Sequence, residues 1–364
     1  MRNQGPPRTD ENLAHPSEPQ IPSTRIDIRL LETGVDMCLR MMGLWHPLCS
    51  NGWGDLALIE QIRRLAEQTD RATPAEPIEL QWEDGEPLSG GGTLFRGRFV
   101  SPAMSLLQPV QSRTARIEFL LPARTIKGVR PPVYLHLAAT GEQGFLIRKR
   151  LALPLVQRGY GAVFLENPFY GLRKPTGQIQ TFVRTMSDQF AMNMATIMEA
   201  RSLLRWLREQ DYDRLGLVGY SQGGFMSALV AELETHPLAL VCGATGNSPW
   251  RSFAELQLSQ LLDWKALQKE LGAGCNAKGL LKDMMEVVRI DRLPPPVLPQ
   301  AAILLAVKND LLVPNDETQV LLRHWNGADL RWIDGGHSLG YLVHHNDLRQ
   351  AITDAFHRLS LFSP

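Results

Sequence analysis

The feature that most constrains this chain is the hexapeptide "GYSQGG" at residues 219–224, set directly after the apolar run Leu215-Gly216-Leu217-Val218. Glycine loses more backbone freedom on ordering than any other residue, so three glycines around one serine mark a place where side chains would not fit. One backbone path has that need. A buried strand ends, the chain turns sharply with the serine in a strained conformation, and a helix begins at once. The residues two before and two after the serine then approach closely. Gly219, Gly223 and Gly224 fit that path, with Ser221 at its apex.

The rest of the chain supplies the setting. The runs Val133–Ala138, Ala162–Leu165, Leu215–Val218, Leu238–Val241 and Ala302–Val307 are continuously apolar. Strands of that kind are buried on both faces and belong to parallel sheets. Upstream, Ile78-Leu80-Trp82 alternates with Glu79-Gln81, and Ile117-Phe119 with Arg116-Glu118, which reads as half-buried strands. Helical patterns lie between the runs. The clearest is Phe190, Met194, Ile197, Ala200, Leu204 and Leu207, spaced by threes and fours and read as a core stripe. Strands alternating with helices predict an α/β fold: a doubly wound, mostly parallel sheet with helices on both faces. A chain of 364 residues is long enough for such a core with insertions.

One stretch breaks the rhythm. Between the strand ending near Cys242 and the strand starting near Ala301, the connection is far longer than a normal βα loop. Ser252-x-x-Glu255 has the form of a capping box, Leu261, Leu262 and Trp264 follow, and Pro294-Pro295-Pro296 closes the stretch. Residues 245–300 are therefore predicted to be a helical cap inserted between two parts of the core, 76–244 and 301–364. Residues 1–24 are polar and proline-rich and read as a disordered arm. Residues 25–75 read as an N-terminal helical segment. Its Leu30, Leu31, Met37, Leu39, Met42 and Leu44 fit a layer packed on the core or a surface that leans on a membrane, and packing is preferred.

Composition excludes several partners. Lys+Arg and Asp+Glu both number 38, so no excess basic charge supports nucleic-acid binding. Cys38, Cys49, Cys242 and Cys275 form no CxxC pair, which points to reduced, buried thiols in a cytoplasmic protein rather than a zinc site or a disulfide framework. The N-terminus has no apolar signal region, and no run approaches the roughly 18 apolar residues of a membrane span.

A serine hydroxyl becomes a nucleophile when a general base lies within hydrogen-bond reach and an acid orients that base. In α/β-hydrolases, whose nucleophile elbow has the form G-x-S-x-G, these groups follow in the order Ser, Asp or Glu, His. Past the strand Ala302–Val307 comes Lys308-Asn309-Asp310, which makes Asp310 the candidate acid. Leu330–Ile333 reads as the last strand, and Asp334-Gly335-Gly336-His337 follows, which makes His337 the candidate base. Asp334, His344 and His345 are the weaker competitors. The oxyanion of a tetrahedral intermediate needs backbone donors. One is the N–H of Gln222, and the other comes from Ala139 or Thr140 in the small-residue loop after Leu137. Tyr220, Tyr170, Arg173 and the cap residue Trp264 are the candidate substrate contacts; Arg173, like Lys174, could face an anionic group, and a solvated or salt-bridged loop is the preferred reading for both. No metal or organic cofactor is expected.

The motifs "LHLAATGEQGF", "FLENPFYGLRKP", "GYSQGG", "AVKNDLLVP" and "DGGHSLGYL", in this order, resemble the α/β-hydrolase domain-containing protein 18 family. The third is shared across the superfamily, whereas "ENPFYGLRKP" is the most specific. The resemblance runs from about residue 90 to the end and is weakest in the cap. It implies the α/β-hydrolase fold, with the Ser-Asp-His site falling on Ser221, Asp310 and His337. The expectation is a serine hydrolase of a carboxylic ester or thioester. A lipid or other acyl-chain ester is favoured, because the cap carries Leu261, Leu262, Trp264, Met284 and Met285. A peptidase or amidase and a non-catalytic binding protein are the alternatives, and peripheral membrane contact stays open.

Overall fold

The computed structural model describes residues 47–123, 129–178, 181–272 and 274–362. The expected arm at 1–24 and the stretch 25–46 of the N-terminal segment lie outside the described residues.

Ten strands among the described residues form one sheet. They are β1 (Gln81–Trp82), β2 (Glu86–Pro87), β3 (Thr93–Val100), β4 (Thr114–Leu121) and β5 (Val133–Leu137). β6 (Gly161–Leu165), β7 (Leu215–Tyr220), β8 (Ala239–Gly243), β9 (Ala302–Val307) and β10 (Asp329–Ile333) follow. Their order is β1-β3-β4-β6-β5-β7-β8-β9-β10, with β2 beside β3. From β6 to β10 every neighbour pair is parallel, whereas β1 to β4 join antiparallel. Every residue of β5, β6, β7, β8 and β9 is buried, as strands covered on both faces must be.

Helices cover both faces. On one side, the long helix α3 (Met186–Glu209) and the helix α4 behind the serine (Gln222–Glu232) close a core with Leu135, Leu217 and Leu304. On the other, α2 (Leu146–Gln157) and the last helix α11 (His345–Phe362) close a core with Tyr134, Val218 and Ile303. Pro154 inside α2 cannot donate to the Arg150 carbonyl. Arg349 from α11 donates to that carbonyl instead, at 3.0 Å, and so links the two helices.

A third core lies under the inserted stretch, among α5 (Trp250–Ala254), α6 (Gln257–Leu261), α7 (Trp264–Leu271) and α8 (Ala277–Val287). The described part of the N-terminal segment closes it. Helix α1 (Leu56–Gln68), with Asp55 accepting from the Leu58 N–H at its start, buries Leu58, Ile59 and Ile62 there. Trp53 is fully buried and donates Nε1–H to the Leu267 carbonyl at 3.1 Å. Leu48 bridges to Leu262. This segment therefore packs on the inserted helices and on α3.

Three local expectations are corrected. Ile78 and Leu80 pack on the core without ladder partners, and the strand is limited to Gln81–Trp82. Alternation there reports which side is covered, not hydrogen bonding. Ser252 does not cap a helix: it lies inside α5, and Ser248 Oγ accepts the Trp250 N–H instead. Cys49 and Cys242 are buried, which raises their thiol pKa, but Cys275 is exposed.

Candidate active site

Ser221 has φ 56° and ψ −121°, a strained conformation for a residue with a Cβ. Its surroundings enforce it. A Cβ on Gly219 would lie 2.1 Å from the backbone of Gly223, and one on Gly223 would lie 2.4 Å from the Leu137 carbonyl oxygen. A Cβ on Gly224 would lie 2.8 Å from the Gly243 carbonyl oxygen. The three glycines thus let α4 press against the ends of β5, β7 and β8. Ser221 is held in the turn by its N–H, which donates to Gly243 at 2.8 Å.

The loops after β9 and β10 meet it. Lys308 donates its N–H to Ile333 at 3.0 Å and Asn309 to Gly335 at 3.2 Å, so the two loops are tied together. The Asp310 side chain is buried, and its Oδ1 accepts the N–H groups of Leu312 and Val313, each at 2.8 Å. Its Oδ2 lies 2.7 Å from His337 Nδ1. On the other side of the ring, His337 Nε2 lies 2.8 Å from Ser221 Oγ. A carboxylate only accepts, so Nδ1 carries the proton and Nε2 is left to accept from the serine hydroxyl.

His337 is the first residue of a short helix, α10 (His337–Val343). Tyr220 Oη donates to its carbonyl at 2.6 Å, and the Tyr220 ring packs on the imidazole with centroids 5.6 Å apart. The Tyr341 ring stacks on that of Tyr220, with centroids 4.9 Å apart. Burial, and then the nearby Asp310 carboxylate, push the Tyr220 phenol well above its ordinary pKa, so it stays a donor. A Cβ on Gly340 would meet Tyr220 Oη at 2.4 Å, which is why this helix has glycine there.

A cavity opens on Ser221, with about 120 Å³ inside. Its walls come from α3 (Phe190, Met194, Ile197), α4 (Phe225, Met226) and the inserted helices (Phe253, Leu258, Met285). Among the described residues, no Asp, Glu, Lys or Arg lines it. Uncharged polar residues complete the lining, among them Gln222, Thr140, Asn193 and Gln189. The N–H of Ala139 donates to Glu142 Oε2 at 3.3 Å and is thereby engaged. Among the described residues, the N–H groups of Gln222 and Thr140 have no protein acceptor.

The structure therefore brings Ser221, Asp310, His337, Gln222 and Thr140 to one place, and takes Ala139 out of the donor pair. It moves the expected substrate contacts elsewhere. Arg173 is fully buried and pairs with Glu199 through two bonds of 2.6 and 2.7 Å, so it reaches no anionic group in the cavity. Tyr170 is fully buried in the third core. Tyr220 supports His337 from behind. Trp264 lies outside the cavity and donates Nε1–H to Ser259. Of the competitors, Asp334 is exposed and paired with Lys308, and His344 with Asp347. The sequence reading missed Gln189 and Asn193. Their signal was available as two carboxamides four residues apart beside the apolar stripe, and that stripe itself is only partly core: Phe190, Met194 and Ile197 face the cavity.

Comparison with known proteins agrees with this architecture. A family model described as alpha/beta hydrolase domain containing 18 matches residues 46–282 and 276–358. An uncharacterized protein of Mycobacterium tuberculosis (strain H37Rv) is 26% identical over 144 residues, which are 39% of this chain. The match spans 33% of that relative's length. Among solved structures, an acetyl xylan esterase from Paenibacillus sp. R4 superposes with a TM-score of 0.56 at 14% identity, over 86% of this chain and 98% of that one. Acetyl xylan esterase 1 from Thermoanaerobacterium sp. JW/SL YS485 gives 0.54 at 15% identity, over 88% and 98%. At such identities the likeness is one of fold.

Proposed function

The chain belongs to the alpha/beta hydrolase domain containing 18 family, and from that premise we propose that it is a serine hydrolase of carboxylic esters or thioesters with an apolar acyl group. The observation that carries this proposal is the unbroken relay from Asp310 Oδ2 through His337 to Ser221 Oγ, with contacts of 2.7 and 2.8 Å. Ser221 Oγ attacks the acyl carbon while His337 Nε2 takes its proton. Asp310 holds the Nδ1–H tautomer and stabilises the imidazolium. The N–H groups of Gln222 and Thr140 receive the developing oxyanion. His337 then returns the proton to the leaving alcohol or thiol. A water deprotonated by the same nitrogen cleaves the acyl-enzyme and releases the acid.

The choice of acyl group rests on the cavity walls. Phenylalanine, methionine and leucine side chains give up little on meeting a hydrocarbon chain, whereas an ion buried there would find no counter-charge. No helix of the described residues is long and apolar enough to cross a membrane.

Labelling with a fluorophosphonate tests the nucleophile without knowledge of the substrate. Wild type is expected to label, and Ser221→Ala and His337→Ala are expected not to. Labelling that survives Ser221→Ala ends the proposal. A series of esters from acetyl to dodecanoyl tests the acyl preference, and a rate indifferent to chain length removes it.

A further inference from the structure

Four side chains lining the cavity are not used by the relay, and they are joined end to end. Thr140 Oγ1–H donates to Gln222 Oε1 at 3.1 Å. Gln222 Nε2–H donates to Asn193 Oδ1 at 2.7 Å, and Gln189 Nε2–H donates to the same oxygen at 3.0 Å. The string begins on the loop after β5, crosses the first residue of α4, and ends on α3, where Gln189 and Asn193 lie one turn apart.

Two of its members, Thr140 and Gln222, are also the residues whose backbone N–H groups have no protein acceptor among the described residues. Gln222 is fixed from behind, because Gly223 sits against the Leu137 carbonyl. Thr140 is exposed and lies in no helix or strand, and Gly141 after it has φ +76°. The loop has other anchors, but none grips the Thr140 N–H: Glu142, held by Arg148 at 2.9 Å, takes the Ala139 N–H, and Gln143 Oε1 accepts the Gly171 N–H at 2.9 Å. Among the described residues, the Thr140 hydroxyl is tied to Gln222 and to nothing else.

We infer that the Gln222 side chain is a positioning residue: it holds the Thr140 N–H at a set distance from its own N–H, with Asn193 as the anchor. This rests on the serine-hydrolase reading above. Donors aimed in advance at the oxyanion are worth about 10²–10³ in kcat each, so a donor that is loosened rather than deleted is expected to cost about 10- to 100-fold. The effect belongs to the transition state. Substrate binding rests on the apolar walls and leaves KM within about twofold.

The test is Gln222→Met, which keeps the backbone N–H and the side-chain length and removes the carboxamide. Two readouts are taken: kcat and KM on the best ester of the series, and amide hydrogen exchange of residues 138–142 in the free protein. The expected result is a lower kcat, an unchanged KM, and exchange in that loop faster by about tenfold. Unchanged kcat with unchanged exchange overturns the inference, as does a raised KM at constant kcat, which would make Gln222 a substrate contact. If wild type neither turns over esters nor labels, exchange decides alone. A loosened loop then upholds the tether while the hydrolase reading fails, and an unchanged loop ends both. Should Gln222→Met not fold, Thr140→Val removes the hydroxyl at the exposed end and carries the same expectations.

Discussion

Two buried ionic networks stand at the same edge of the sheet and have opposite characters. After β6, Arg173 is fully buried and all five of its N–H donors are used: on Glu199 twice, on the Ser112 carbonyl twice, and on the Glu166 carbonyl. Nothing in that network faces space. After β9 and β10, Asp310 and His337 are equally well supplied, but the last member, Ser221, lines the cavity. A charge in a low-dielectric interior is tolerable only when its partners are complete. The closed network holds loops in place. The open one ends on an oxygen whose remaining lone pairs meet whatever enters, which is the condition for nucleophilic chemistry. Buried charge at a sheet edge is therefore no sign of function by itself. What separates the two is whether the chain of partners closes.

The largest expected break of this contrast comes at the open end. Ser221→Ala or His337→Ala is expected to lower kcat by about 10⁶ with little change in thermal stability, and the double variant is expected to lose no more than either single one. Steady-state kinetics beside thermal melts checks both halves. Asp310→Asn is expected to cost about 10⁴, because an amide donor facing Nδ1 favours the wrong tautomer of His337. Pre-steady-state acylation with a chromogenic ester would read this directly.

The closed network is expected to answer in stability instead. Arg173→Met leaves Glu199 buried and unpaired, and is expected to cost about 3–5 kcal/mol in denaturant unfolding, while kcat of the folded protein is unchanged. Adding Glu199→Leu removes the stranded charge and is expected to restore most of that loss. A fall in kcat without a fall in stability would erase the distinction between the two networks.

A third network sharpens the comparison with the smallest effect. Glu232 at the far end of α4 accepts Trp325 Nε1–H at 2.6 Å, and His324 Nε2, at the end of α9 (Asn315–His324), lies 3.1 Å from the same oxygen. Burial pushes the Glu232 carboxyl up to about 7 from 4.5. Its partner Glu232 raises His324 as well. Both groups bind a proton more tightly in the folded than in the unfolded protein. The Glu232 contribution is thus full below its unfolded value and is lost as pH rises through about 7, and the His324 contribution is lost in the same direction above its ordinary 6.5. Melting temperature is expected to fall between about pH 5 and pH 8, less steeply in Glu232→Gln. An identical slope in the variant would assign the pH dependence elsewhere.

What the linear sequence determined is local and periodic. Continuous apolar runs marked the strands buried on both faces, and Ala302–Val307 matches β9 residue for residue. The strand–turn–helix around Ser221 was legible because close backbone approach demands glycine at fixed offsets from the serine. Asp310 and His337 were legible because each follows a strand of a parallel sheet, so their positions along the chain already placed them at one edge. Roles that depend on distant partners were not legible. The sequence could not say that Arg173 would spend every donor on Glu199, Ser112 and Glu166, since Glu199 arrives from α3 and Ser112 from the turn before β4. Nor could it say that Tyr220 would turn behind His337, which needs Gly340 far down the chain. Trp264 looked like a cavity wall, yet α7 turns it toward Ser259. Asn193 became a polar anchor only when α3, α4 and the loop after β5 converged. Backbone preference and side-chain periodicity are carried by neighbours in sequence. Whether a buried polar group is closed or open is carried by neighbours in space, and only the tertiary structure decides it.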